Sequence, residues 1–123
     1  MTSPWISGLV LIGLFVLVYG GSFLQGQKKK KASALLKNDP RTLLVDVRTA
    51  SEYREGAAQG AINVPVESIR KAQKKLGAKD RPILVYCATG SRSRAALVSL
   101  KAMGYSQVYN LGSMDSVKGL VGE

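Results

Sequence analysis

Apolar positions are distributed unevenly along the chain. From Trp5 to Leu24 the run WISGLVLIGLFVLVYGGSFL holds no charged side chain over 20 positions, and Lys28 to Lys31 follow almost at once. A helix of about 20 residues spans a hydrocarbon core of ~30 Å, so this run predicts one N-terminal transmembrane helix. Trp5 and Tyr19 sit near its ends, where amphipathic rings favour the headgroup region. No Lys or Arg precedes the run, so the positive-inside bias predicts a single-pass membrane protein with its domain in the cytoplasm. The lysines read as a solvated linker that also touches anionic lipid, at ~1 kcal/mol per residue near the surface. The alternative is a cleaved signal, with Gly20 and Ser22 as small residues for cleavage and a secreted or periplasmic product. Against it, the run lacks a basic n-region and exceeds the usual ~7 to 15 residue h-region. The expected division is therefore 1–31, anchor and basic linker, and 32–123, a folded domain.

Beyond the lysines the pattern changes. A short helix is expected at Ala32 to Lys37, stopped by Asn38-Asp39-Pro40, and the run Thr42 to Val47 is almost continuously apolar. Such a run suits a strand buried on both faces, as in a parallel sheet. Ala61 to Val64 predicts a shorter strand, Pro82 to Tyr86 another buried one, and Gln107 to Leu111 a fourth. Between the last two, Ser91 to Met103 predicts a helix with Ala96, Leu97, Leu100 and Met103 on one stripe and Gly104 as its left-handed stop. Strands alternating with helices over short connections predict an α/β domain, a mainly parallel sheet flanked by helices. Sites in such sheets lie at the carboxyl ends of strands, and Cys87 is at that point.

Composition narrows the chemistry. A chain of 123 residues has room for one such domain. One cysteine and no histidine exclude an intramolecular disulfide, a CxxC pair, a Cys/His zinc cluster and any Cys-His or Ser-His arrangement, so neither metal nor cofactor is expected. The net charge of +10 includes the lysine run, and from Lys37 onward 14 basic residues face 8 acidic ones. These charges are scattered without interleaved aromatics, so no nucleic-acid partner is expected.

The segment Cys87-Ala88-Thr89-Gly90-Ser91-Arg92-Ser93 leaves a buried strand and enters a helix. That turn directs backbone N–H groups inward beside the positive end of the helix dipole, which stabilises a thiolate. Gly90 permits a backbone angle or close approach that a Cβ hinders, and Arg92 adds a planar cation for an anionic substrate. The plainer reading of Cys87 is a small buried hydrophobe. The polar residues crowded into the next six positions favour an anion-accepting nucleophile.

CxxGxR after an apolar strand occurs here together with Asp46-Val47-Arg48, Glu52-Tyr53, Gly60-Ala61-Ile62-Asn63-Val64-Pro65, and Gly104-Tyr105 leading to Val108-Tyr109-Asn110-Leu111. In this order and spacing, from about Ala32 onward, the chain resembles the single-domain rhodanese (sulfurtransferase) family, and with its apolar N-terminus the membrane-anchored bacterial type. The resemblance implies that Cys87 carries a persulfide, taking a sulfane sulfur from thiosulfate or a persulfide donor and passing it to cyanide, a thiol or a protein acceptor. It implies that the amides of Ala88 to Ser93, those of Thr89, Gly90 and Ser91 among them, cradle the sulfur and that Arg92 helps bind the donor anion. Asp46 and Arg48 match the family's DVR motif and are expected as a structural ion pair near the site, with substrate contact as the alternative. Glu52 is expected to be solvated or to cap its helix.

The chain also departs from that family. Gly56-Ala57-Ala58-Gln59 stands where histidine is common, Gly112-Ser113 replaces a Gly-Gly followed by Trp, and the usual first strand is hard to find before Ala32. A trimmed sheet edge and a smaller C-terminal helix are expected. Two other functions remain open. A phosphatase or arsenate reductase would use a similar cysteine loop, but a tyrosine-phosphatase loop needs five residues between Cys and Arg, and here four separate Cys87 from Arg92. A non-catalytic, membrane-tethered binding or sensing module is the other, against which the intact Cys87 weighs.

Overall fold

A computed structural model of the chain describes residues 26–121. Two units divide between Lys31 and Ala32. Of the first, residues 26–31 are described and are helical. Among the described residues no helix is long and apolar enough to cross a membrane, and the Trp5 to Leu24 run lies outside them.

The second unit opens with helix α1, residues 32–38, which ends one residue beyond the expected Lys37 and follows directly on the helical residues 26–31. The Asp39 N–H closes it on the Leu35 carbonyl at 2.9 Å before Pro40, which has no N–H to continue the ladder. Strand β1 (Leu43–Asp46) leads to helix α2 (Ala50–Glu55) and the two-residue strand β2 (Ile62–Asn63). A 3₁₀ helix (Val66–Lys71) and the one-turn helix α3 (Gln73–Leu76) precede β3 (Ile83–Cys87). Helix α4 (Ser91–Ala102), strand β4 (Val108–Ser113) and helix α5 (Met114–Val121) complete the order. The expected strands are all present with shifted ends: β1 and β2 are shorter, β3 takes in Cys87, and β4 runs on to Ser113.

The four strands are parallel, in the order β2-β1-β3-β4. Period-2 alternation divides the core. Leu43, Val45 and Val47 with Ile83, Val85 and Cys87 face a layer built from Ile69, Leu76, Ala96, Leu100 and Tyr105. Leu44, Leu84 and Tyr86 face the opposite layer, with Ala32, Ala58, Leu111 and Val117. Every residue of β1 and β3 is buried, which explains why both strands read as continuous apolar runs rather than alternating ones. Each fully buried Val, Leu or Ile contributes roughly 1.5–3 kcal/mol of transfer free energy. Parity also decides the chemistry, because it sends Cys87 towards α4 and its neighbour Tyr86 away from it.

Helix α4 ends one residue earlier than expected, with Met103 as its C-cap. Gly104, at φ 99°, donates to the Lys101 carbonyl at 3.0 Å, and Tyr105 N–H to the Leu100 carbonyl at 3.1 Å. These two bonds make a Schellman stop that turns the chain into β4. Between β3 and β4 the register slips after Val85, so Tyr86 pairs with Gly112 and Cys87 with Ser113, leaving Leu111 as the extra residue of a bulge. Among the described residues no strand precedes β1, and β4 forms one sheet edge.

Candidate active site

Cys87 is the last residue of β3 and is fully buried. The chain reverses over Ala88 and Thr89, both exposed, and reaches Gly90 in a left-handed conformation at φ 105°, ψ −12°. This angle favours glycine, and it aims the Gly90 N–H back at Cys87 Sγ, 2.9 Å away. Thr89 makes an antiparallel bridge with Ser113, tying the loop to the end of β4.

Below the loop, buried Ser93 places its hydroxyl 3.6 Å from the Cys87 thiol and donates to the Gly90 carbonyl at 3.0 Å. That carbonyl also accepts the Arg94 N–H at 3.1 Å, the first main-chain bond of α4. Burial pushes the Cys87 thiol up. The Ser93 hydroxyl and the amides of Ser93, Gly90 and Thr89 outweigh it, so the thiol lies below its ordinary value. Among the loop amides that of Gly90 hydrogen-bonds the sulfur, and those of Ser93 and Thr89 add to the lowering, while the residues Ala88 and Ser91 are exposed.

Arg92 lies on the first turn of α4, half-buried, with its Nη1 donating to Glu52 Oε1 at 2.7 Å and its Nη2 to Oε2 at 3.0 Å. Glu52 is itself the third residue of a capping box. It accepts from the Thr49 N–H at 3.3 Å and the Thr49 hydroxyl at 3.1 Å, and its own N–H donates to Thr49 Oγ1 at 3.2 Å. The Arg92 guanidinium, with help from Thr49, holds the Glu52 carboxyl down at about 2.

Asp46 and Arg48 form a buried pair beneath the site. Arg48 donates Nη2 to Asp46 Oδ2 at 2.7 Å and Nε to Oδ1 at 3.1 Å, and its backbone N–H reaches Oδ1 at 2.9 Å. The Tyr86 hydroxyl adds a bond to Asp46 Oδ2 at 2.8 Å and accepts the Ala58 N–H at 3.0 Å. Asn63 Nδ2 donates to the Asp46 and Arg48 carbonyls at 3.0 Å each. Burial first, and the Asp46 bond after it, push the Tyr86 phenol up to about 12, so it stays a neutral donor. Among the described residues no buried side-chain N or O lacks a partner, which is the condition for tolerating a buried charge pair. No group of His, Cys, Asp and Glu among them could hold a metal ion.

Against this geometry, the family model described as Rhodanese-like domain matches residues 28–119. The chain belongs to the rhodanese family. It is similar to a sulfurtransferase of Allochromatium vinosum, 38% identical over 69 residues, covering 56% of this chain and 64% of that protein. It is also similar to the thiosulfate sulfurtransferase PspE of Escherichia coli K12, 32% identical over 74 residues, covering 59% of this chain and 71% of that one. Among solved structures, a rhodanese with anions from E. coli superposes with a TM-score of 0.60 at 31% identity, covering 62% of this chain and 91% of that one. The chain is thus a homologue of proteins named sulfurtransferases and shares the α/β rhodanese fold.

At three residues the structure adds contacts that the sequence did not show. Arg92, expected to bind the donor anion, is paired with Glu52. Glu52 caps α2, as one of its two expected roles, but also reaches across to α4. Tyr86 had no assigned role. A tyrosine in an otherwise aliphatic buried strand is a signal for a polar partner, and Asp46 on the paired strand is that partner.

Proposed function

We propose that the chain is a sulfurtransferase that carries a sulfane sulfur as a Cys87 persulfide. The Cys87 thiolate attacks the outer sulfur of thiosulfate or of a persulfide. A new S–S bond forms, the donor's S–S bond breaks, and sulfite or a thiolate leaves with the electron pair. Cyanide, a thiol or a protein thiolate then attacks the terminal sulfur, leaves as thiocyanate or a new persulfide, and returns the Cys87 thiolate.

The observation that carries this reading is the Gly90 N–H on Cys87 Sγ at 2.9 Å, beneath the start of α4. The same donors suit the outer sulfur of a persulfide anion, which needs fixed N–H groups rather than a mobile base. The names of the A. vinosum and PspE relatives support sulfur transfer, and the E. coli neighbour described as a rhodanese with anions supports an anionic ligand. Arg92 presents its fork to the Glu52 carboxylate, so a donor oxyanion reaches this cation in competition with that carboxylate.

Intact mass of the protein after thiosulfate should show one added sulfur atom, removed again by cyanide and absent in Cys87→Ser. No addition with any donor, or addition at another residue, overturns the reading. Arg92→Ala should raise the thiosulfate KM more than it lowers kcat. Unchanged kinetics would move anion binding to Arg94 or to the amides alone.

Residues 1–31 are read as a membrane anchor with the domain in the cytoplasm, on the strength of the uncharged Trp5 to Leu24 run and the lysines behind it. The protein should stay with membranes through a high-salt wash, and protease outside spheroplasts should spare the domain. A soluble product beginning near Phe23 would show a cleaved signal instead.

A further inference from the structure

The contact between Glu52 and Arg92 is built from both sides. The two Nη atoms of Arg92 meet the two carboxylate oxygens of Glu52 in a parallel fork, at 2.7 and 3.0 Å. Thr49 fixes the carboxylate from behind, through its N–H and hydroxyl, so Glu52 cannot leave Arg92 without disturbing the start of α2. Both side chains are about one-third exposed, 33% for Arg92 and 34% for Glu52. The pair therefore stands at the surface beside the loop rather than within the core.

A guanidinium fork of this kind recognises any planar pair of oxygens, and a sulfonate end of thiosulfate presents the same edge as a carboxylate. Glu52 thus occupies on Arg92 the position that a small oxyanionic donor would take. It also sets the local charge. A dianion approaching the Cys87 thiolate meets a second negative charge at Glu52, while the single positive charge of Arg92 is already paired. A second guanidinium, that of Arg48, is committed to Asp46 and to the Gly56 carbonyl. A persulfide on an uncharged organic thiol carries no sulfonate, so it neither competes for the fork nor adds a second charge.

We propose that Glu52 is the specificity-determining residue of this site, occupying the fork of Arg92 so that persulfides on uncharged thiols are favoured over thiosulfate. This rests on the sulfurtransferase reading. The selection acts through a competing ligand tethered within the fold, the repulsive half of specificity.

The test compares the full chain with Glu52→Gln, using thiosulfate and 2-hydroxyethyl persulfide as donors. Glutamine also serves at the third position of a capping box, so α2 keeps its start while the charge and one of the two strong acceptors on Arg92 are lost. The KM for thiosulfate should fall about five- to tenfold, the change expected for removing one charge-assisted competitor, while the KM for the persulfide moves less than about twofold. A second arm needs no sulfur transfer: at constant ionic strength, sulfate should protect Cys87 from iodoacetamide at correspondingly lower concentration in Glu52→Gln. A rise in KM for both donors together would make Glu52 a mere prop for Arg92 and overturn the proposal. An unchanged donor ratio with unchanged sulfate protection would overturn it as well, leaving sulfur transfer intact. If neither donor loads the wild type yet sulfate protection shifts, the competition at Arg92 holds and the sulfurtransferase reading fails. Should Glu52→Gln not fold, Glu52→Asp, which keeps the charge but shortens the reach, must still lower the thiosulfate KM alone, or the proposal fails.

Discussion

Gly90 donates its backbone N–H to Cys87 Sγ across 2.9 Å, three residues apart in the chain, and this bond joins the sheet to the helix. It exists because β3 carries Cys87 on the α4 side and because Gly90 takes a left-handed angle that turns its amide back. Fold and reactivity meet in one peptide group.

The Cys87 thiol should ionise below the ordinary thiol range. Burial alone would raise it, and the Ser93 hydroxyl with the amides of Ser93, Gly90 and Thr89 reverses the sign. The rate of alkylation by iodoacetamide against pH should therefore inflect below the ~8.5 of a free cysteine. Linkage follows the same sign. A thiol depressed in the fold contributes stability that is full above the unfolded value and is lost as pH falls through the folded one. An inflection at or above ~8.5 would show that burial prevails.

Gly90→Ala should lower stability by about 1–2 kcal/mol through its backbone angle rather than through crowding. An added Cβ would meet the Gly112 Cα at 3.5 Å, an ordinary contact, whereas φ 105° is one that alanine resists. If the loop relaxes to relieve that strain, the Gly90 N–H swings off the sulfur and the alkylation inflection rises. Equilibrium denaturation and alkylation should therefore change together. A stability loss with an unmoved inflection would separate the backbone angle from the thiolate.

Asp46→Asn should cost about 3–5 kcal/mol, measured by denaturant unfolding, because it leaves the buried Arg48 guanidinium without its counter-charge. Tyr86→Phe should cost less, about 1–3 kcal/mol, since it strands the Ala58 N–H and removes one donor to Asp46. Equal costs would mean that the tyrosine, and not the ion pair, organises this layer.

How far this arrangement was legible in the sequence depended on distance along the chain. Thr42 to Val47 and Pro82 to Tyr86 declared buried strands because burial on both faces leaves no polar alternation. Gly104 declared a helix stop because a Schellman motif is complete within six residues. The Cys87 loop was legible for the same reason, its amides lying within six positions of the sulfur. The Glu52 and Arg92 contact was not, since it joins residues 40 apart that only the packed sheet and helices bring together. Asp46 was expected to pair with Arg48, two residues away, while its bond to Tyr86 required the register of β1 against β3. Strand β2 was overestimated because Ala61 and Val64 are apolar for the core while only Ile62 and Asn63 pair with β1.

The Glu52 and Arg92 pair should also be visible in acid. The Glu52 carboxyl is lowered from its ordinary 4.5 to about 2, chiefly by Arg92. A depressed carboxyl contributes stability that is full above its unfolded value and fades as pH falls through the folded one. The stability difference between wild type and Glu52→Gln should accordingly be constant above about pH 5 and shrink between there and about pH 2. A difference that stayed level through that window would mean that the contact contributes nothing through ionisation.

Ser93 is the residue that lets one buried site hold both a thiol and a thiolate. With the thiol protonated, Cys87 donates to Ser93 Oγ at 3.6 Å while the hydroxyl donates to the Gly90 carbonyl at 3.0 Å. Once the proton leaves, sulfur can only accept, and rotation of the Ser93 hydroxyl turns its hydrogen towards Sγ. The Gly90 carbonyl is not stranded by that rotation, because the Arg94 N–H still reaches it at 3.1 Å. Ser93→Ala removes the rotating donor and leaves all three backbone amides, its own and those of Gly90 and Thr89, in place. The alkylation inflection should move up towards that of a free thiol, and thiosulfate loading at fixed neutral pH should slow in proportion to the thiolate lost. Ser93→Thr keeps the hydroxyl in a fully buried position and should retain the low inflection even where the extra methyl costs stability. An inflection in Ser93→Ala equal to the wild type would assign the whole effect to the backbone amides.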